Sequence, residues 1–224
     1  MPLRESIYTI PLTDLFSEKC GCPLCNAKKT ANERISDFIL GPAMMEPDIR
    51  IETNRLGFCK EHLHFLRNHK NRLSLALMLQ SRIKEINSSA DSKSKVLFSR
   101  LGGCFICEKL VVAESKLSDN IVKTHSQNRD FRSLFSDAEG LCFPHYAVLV
   151  SSAEKLLGGK QRKEFLAAAR ELFNKKADTV EKNIDAFCAM FDYRNNTEDN
   201  DFGEARYAIE DACGFLSAEC EKEI

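Results

Sequence analysis

The chain has 224 residues, 43% of them hydrophobic and 29% charged, which fits a soluble globular protein with room for one large domain or two small ones. Formal net charge is −1 but unevenly spread: residues 1–100 carry 16 Lys/Arg against 11 Asp/Glu, net +5, and residues 101–224 carry 16 against 22, net −6. A pI near 6.5 lacks the basic footprint of a nucleic-acid binder. No window approaches the roughly 18 apolar residues of a membrane span, and the N-terminus lacks a signal-peptide h-region. The expectation is therefore a cytoplasmic protein with no membrane partner.

In chain order, residues 7–16 are apolar with Pro11 inside, predicting an extended strap and a short helical turn from Asp14. Cys22-Pro-Leu-Cys25 follows as a tight chelating loop. Ala31, Ile35, Phe38 and Ile39 recur at helical spacing, predicting a helix over 26–40 that Gly41-Pro42 stops. A turn at 44–47 leads to a helical stretch from Asp48 to about Leu56. The next helix, 58–69, carries Cys59 and His62 in its first turn, with Leu63 and Leu66 facing inward. Residues 71–87 predict a strong amphipathic helix with a broad apolar face of Leu73, Leu75, Leu77, Met78, Ile83 and Ile86, read as core or as a dimer seam. The polar run 88–95 is the candidate boundary between repeats.

The second half opens with Cys104-Phe-Ile-Cys107, a helix from Glu108 to His125, a short helix over 131–135, and Gly140-Leu-Cys-Phe-Pro-His145. Ser151-x-x-Glu154 has the form of a capping box. Gly158-Gly159 precedes a long helical stretch from Gln161 to about Tyr193. An acidic loop over 195–201 leads to a closing helix over 205–216. No sustained alternation predicts a strand, so the fold class is all-α: helical repeats 1–90 and 91–157, with C-terminal helices over 158–224.

The metal-ligand pattern organises this chain. Cys22/Cys25 is followed after 33 residues by Cys59-x-x-His62, and Cys104/Cys107 after 34 by Cys142-x-x-His145. In a reducing compartment such thiols favour metal binding over disulfides. Thiolate and imidazole in fours suit tetrahedral zinc, and residues i and i+3 at a helix start face one way, where the positive dipole end favours thiolate. The reading is two closed Cys3His zinc sites, two zinc ions per chain, one in each repeat: Cys22, Cys25, Cys59, His62, then Cys104, Cys107, Cys142, His145. A knuckle plus a helix start resembles treble-clef ligand geometry. Each site would contribute on the order of 10 kcal/mol to folding. An iron–sulfur centre and a redox dithiol are the alternatives, although no βαβ unit supports the latter. Gly57 and Gly140 are read as backbone turns that start the ligating helices.

Of the remaining cysteines, Cys20 aligns opposite Gly102 and is left out of the ligand set, while Cys188 and Cys213 lie in apolar helical patterns and are expected to be buried. The basic cluster from His64 to Arg72 reads as cations complementing a helix C-terminus, with phosphate binding as the alternative, and His125 reads as a solvated helix-end residue. No phosphate-binding glycine loop, nucleophile elbow or carboxylate pair is present.

The segments Tyr8-Thr-Ile-Pro-Leu-Thr-Asp14, Cys22-Pro-Leu-Cys25, Leu40-Gly-Pro42, Thr53-Asn-Arg-Leu-Gly-Phe-Cys59, the run from Asn71 to Gln80 and Gly140-Leu-Cys-Phe-Pro-His145 resemble a family of bacterial proteins catalogued as a domain of unknown function. The resemblance covers nearly the whole chain and implies one shared architecture, with no activity attached. The functional expectation is a non-enzymatic zinc module that binds a partner, protein before nucleic acid, with a homodimer possible. A thiol-redox or metal-responsive switch and an enzyme with a site between the repeats are the alternatives.

Overall fold

A computed structural model describes residues 12–18, 21–99, 101, 103–191 and 203–218. Its helices are α1 (Leu12–Ser17), α2 (Pro23–Leu40), α3 (Pro47–Leu56), α4 (Lys60–Arg67), α5 (Arg72–Ser88), α6 (Ser94–Ser99), α7 (Phe105–Gln127), α8 (Arg129–Ser136), α9 (Phe143–Leu156), α10 (Gly159–Ala189) and α11 (Ala208–Ser217), with 3-10 turns at Pro42–Met45 and Gly203–Tyr207. No strand occurs among the described residues, in keeping with the all-α expectation. Half of the 7–16 strap, residues 7–11, together with the 195–201 loop and Cys20, lies outside them.

By contact density the chain forms two compact units. Among the described residues, one is built on those of 29–113, the other on those of 12–28 and 114–218. The divisions thus fall inside α2 and α7, whose residues enter both cores, rather than at the polar 88–95 run, which is a loop and the start of α6.

In the first unit, Ile35, Ile39, Leu56, Leu66, Leu75, Met78, Phe105 and Ile106 form one buried cluster, and α5 packs on α3 and α4. Asn71 caps α5, accepting from the Ser74 amide at 3.3 Å while its Nδ2 donates to the Leu40 carbonyl at 2.6 Å. The face of α5 is narrower than its composition suggests. Leu75 and Met78 are buried, but Leu73 is 71% and Ile83 63% exposed, because α3 and α4 cover only one side. Of the basic cluster from His64 to Arg72, the Arg72 guanidinium donates to the Arg67 carbonyl at the end of α4 at 3.3 Å; outside that cluster, Arg82 donates to the Asn54 carbonyl near the end of α3.

In the second unit, α1 packs on α8, and α9, α10 and α11 pack together. Phe16, Phe131, Phe135 and Phe165 are all at most 3% exposed and meet at ring centroids 5.3–6.4 Å apart. His125 joins them. It is buried, not solvated, with edge-on contacts to Phe135 at 5.2 Å and Phe165 at 5.0 Å. Ser118, Ile121, Val122 and His125 share one face of α7, all of it buried, so helical periodicity places the imidazole in the core.

Two further expectations give way. Ser151 lies in the interior of α9, so Ser151-x-x-Glu154 caps nothing; the next helix starts from Gly158 without a side-chain cap. Cys188 and Cys213 are exposed, on the outer sides of α10 and α11.

Candidate metal centres

The ligand positions follow from how four helices begin. The Cys22 carbonyl accepts from the Asn26 amide at 3.4 Å, that of Cys59 from Leu63 at 2.9 Å, that of Cys104 from Glu108 at 3.1 Å and that of Cys142 from Tyr146 at 2.9 Å. Each cysteine is therefore the N-cap of its helix, and Cys25, His62, Cys107 and His145 each occupy the third helical position. The Cys-x-x-Cys pairs are accordingly helix starts rather than separate chelating loops: Pro23, with φ preset and no N–H to satisfy, opens α2 directly after Cys22. This departs from the knuckle half of a treble clef.

The eight predicted ligands gather into two groups, but crosswise. Cys22 and Cys25 meet Cys142 and His145; Cys59 and His62 meet Cys104 and Cys107. The sequential grouping within repeats 1–90 and 91–157 is corrected accordingly, and each group lies inside one unit. Within each, the four ligand atoms are all within 4.8 Å of one another.

Distances test whether a cation fits. In the first unit, His62 Nδ1 lies 3.1, 3.3 and 3.4 Å from the sulfurs of Cys59, Cys104 and Cys107, and Cys59 Sγ lies 3.8 Å from Cys107 Sγ. In the second, His145 Nδ1 lies 3.5, 3.3 and 3.0 Å from those of Cys22, Cys25 and Cys142, and the Cys25 and Cys142 sulfurs are 3.6 Å apart. Tetrahedral bonds of about 2.3 Å to thiolate and about 2.0 Å to imidazole imply edges of about 3.8 Å between sulfurs and about 3.5 Å from sulfur to nitrogen. Both clusters match these edges to within a few tenths of an ångström, apart from the shortest nitrogen contacts. A disulfide would need about 2.05 Å, which neither sulfur pair approaches. Each group can therefore hold a metal ion.

Charge points the same way. Burial, then the Cys104 and Cys59 thiols, push the Cys107 thiol up to about 12. Burial lowers the His145 pKa, but its interactions with the Cys22 sulfur and the Glu114 carboxylate outweigh this and lift it to about 9. The clusters favour added positive charge at their centres, which a divalent cation supplies while converting thiols to thiolates. Two helix N-termini aimed at each group add to that preference.

The second centre has a carboxylate behind its histidine. Glu114 Oε1 lies 3.0 Å from His145 Nε2, in an ion-pair contact that is not aligned as a hydrogen bond, and the interaction holds the Glu114 carboxyl below its ordinary range. Such a partner fixes the ring so that Nδ1 faces the ligand position. Sequence reasoning missed Glu114. Its only signal was a carboxylate on the apolar-patterned helix that starts at Cys104.

Glycines bring the helix starts together. Gly57, at φ 67, turns the chain out of α3, and its carbonyl accepts from the Phe105 amide at 3.0 Å, joining the α4 and α7 starts. Gly140 has no positive φ; a Cβ there would lie 2.5 Å from Lys176 Cβ, so its role is close approach to α10 rather than the expected turn.

A family model described as a family of unknown function (DUF6062) matches residues 3–99 and 92–223, and the chain belongs to that family. No curated protein and no solved structure matches it.

Proposed function

We propose that this DUF6062 protein is a zinc protein whose two Cys3His centres are structural staples, and that the stapled helices present a surface to a protein partner. The observation that supports the reading is that each group offers four ligand atoms at near-tetrahedral spacing, a full set for zinc that would leave no position for water or substrate. Three thiolates and an imidazole suit zinc better than magnesium or calcium, which take oxygen ligands. Six thiols held for metal support a reducing, cytoplasmic setting, and among the described residues no helix is long and apolar enough to cross a membrane.

A protein partner is favoured over nucleic acid by the mild overall charge and by the apolar side of α5, where Leu73, Ile83 and Ile86 are exposed. Elemental analysis of untagged protein, combined with sedimentation, tests both parts. Two zinc per chain and a concentration-dependent dimer would identify the partner as a second copy; two zinc and a monomer would direct the search to other proteins. Iron, or fewer than one metal per chain, would contradict the zinc assignment.

A further inference from the structure

The two centres are not equivalent. In the second, Cys22, Cys25 and Cys142 are 3–4% exposed, His145 is fully buried, and Glu114 stands on the outer nitrogen of the imidazole. In the first, Cys59 and Cys107 are only half-buried, and the neighbouring carboxylate, Glu61, is exposed and interacts with Cys59 and His62. Metal exchange from a thiolate site requires an incoming ligand to reach a metal-bound sulfur or the ion itself, so exposure governs rate. Loss of an outer-nitrogen partner typically weakens a histidine-held metal 10–100-fold.

From this contrast, and resting on the zinc reading above, we propose that the Cys59/His62/Cys104/Cys107 centre is the exchangeable one. It yields its zinc to a competing ligand while the Cys22/Cys25/Cys142/His145 centre keeps its own. The consequence is local. Release frees the start of α4 from the start of α7, which are otherwise joined by the Phe105 to Gly57 backbone bond, and exposes three thiols in the first unit. A metal-responsive behaviour would then reside in one centre, and the other would hold the fold during the response.

The experiment uses the full zinc-loaded chain without substitutions. The colour-forming chelator 4-(2-pyridylazo)resorcinol reads zinc release, and short pulses of N-ethylmaleimide, located by mass spectrometry, report which sulfurs are freed. The expected result is one zinc per chain released at least about tenfold faster than the other, with first labelling on Cys59, Cys104 and Cys107. Release of both at one rate, or first labelling on Cys22, Cys25 and Cys142, would overturn the proposal and leave the zinc reading intact. No zinc signal, with all six thiols labelled in the first pulse, would overturn both. In a second arm, Glu114→Gln should speed the slow phase and leave the fast phase unchanged; an equal effect on both phases would show that Glu114 acts on the fold rather than on its centre.

Discussion

At the scale of single residues, the informative positions are those where a side chain meets an environment its type does not advertise. His125 is the clearest. Burial, then the Arg132 charge, lowers its pKa to about 4 against an ordinary value near 6.5, so the folded chain holds it neutral where the unfolded chain protonates it. Its contribution to stability is complete above about pH 6.5 and is lost as pH falls from there towards 4, by on the order of 3 kcal/mol. Comparing unfolding of the wild type and His125→Phe at pH 7 and pH 4.5 checks the sign: the wild type should lose more stability than the variant. Equal losses would remove His125 from the account. Gly140→Ala should destabilise by about 1–3 kcal/mol, since Lys176 Cβ is held by its own helix and cannot swing aside. Thermal unfolding measures it. His125 was legible in principle, because it follows Ile121 and Val122 on the same helical face, whereas the contact between Gly140 and Lys176 leaves no trace in spacing.

At the scale of elements, the molecule uses one device four times: a cysteine caps a helix and the residue three further on completes a pair. The ligands themselves were readable, because Cys-x-x-Cys and Cys-x-x-His at i and i+3 are recognisable patterns. Their partnership was not, since intervals of 33 and 34 residues say nothing about which pair closes on which. Helix length carries the missing signal. After Cys25, the 18-residue α2 carries the chain about 27 Å away, and the 10-residue α3 can return only about 15 Å of it. After Cys107, the 23-residue α7 covers about 35 Å and the 8-residue α8 returns about 12 Å. In both frames the outgoing helix is longer than the returning one, and the ligand pairs close between frames rather than within them. Caps are the testable contribution at this scale. Asn128 accepts from the Phe131 amide at 3.0 Å, and Asn128→Ala should cost about 1 kcal/mol. Asn71→Ala should cost more, because it also strips the Leu40 carbonyl of its donor. Denaturant midpoints at unchanged slope would show both; Asn71→Ala no more costly than Asn128→Ala would remove the Leu40 tie from the account.

At the scale of the whole chain, crossed ligation nests one closure inside the other: the Cys59 to Cys107 span lies within the Cys22 to His145 span. The outer centre joins α1 and the start of α2 to the C-terminal helices across a sequence separation of 117 residues between Cys25 and Cys142, and loop closure over such a length is costly in entropy without a tie. Metal removal by a strong chelator should accordingly lower the unfolding temperature and break the transition into steps, with the first unit yielding before the second. A single unshifted transition would show that the ions add little. The crossed grouping is tested most directly by one variant and one label. In zinc-loaded Cys142→Ala, brief treatment with N-ethylmaleimide should newly modify Cys22 and Cys25 and leave the reactivity of Cys104 and Cys107 at its wild-type level. New modification of Cys104 and Cys107, with Cys22 and Cys25 still protected, would contradict it and return each centre to its own repeat.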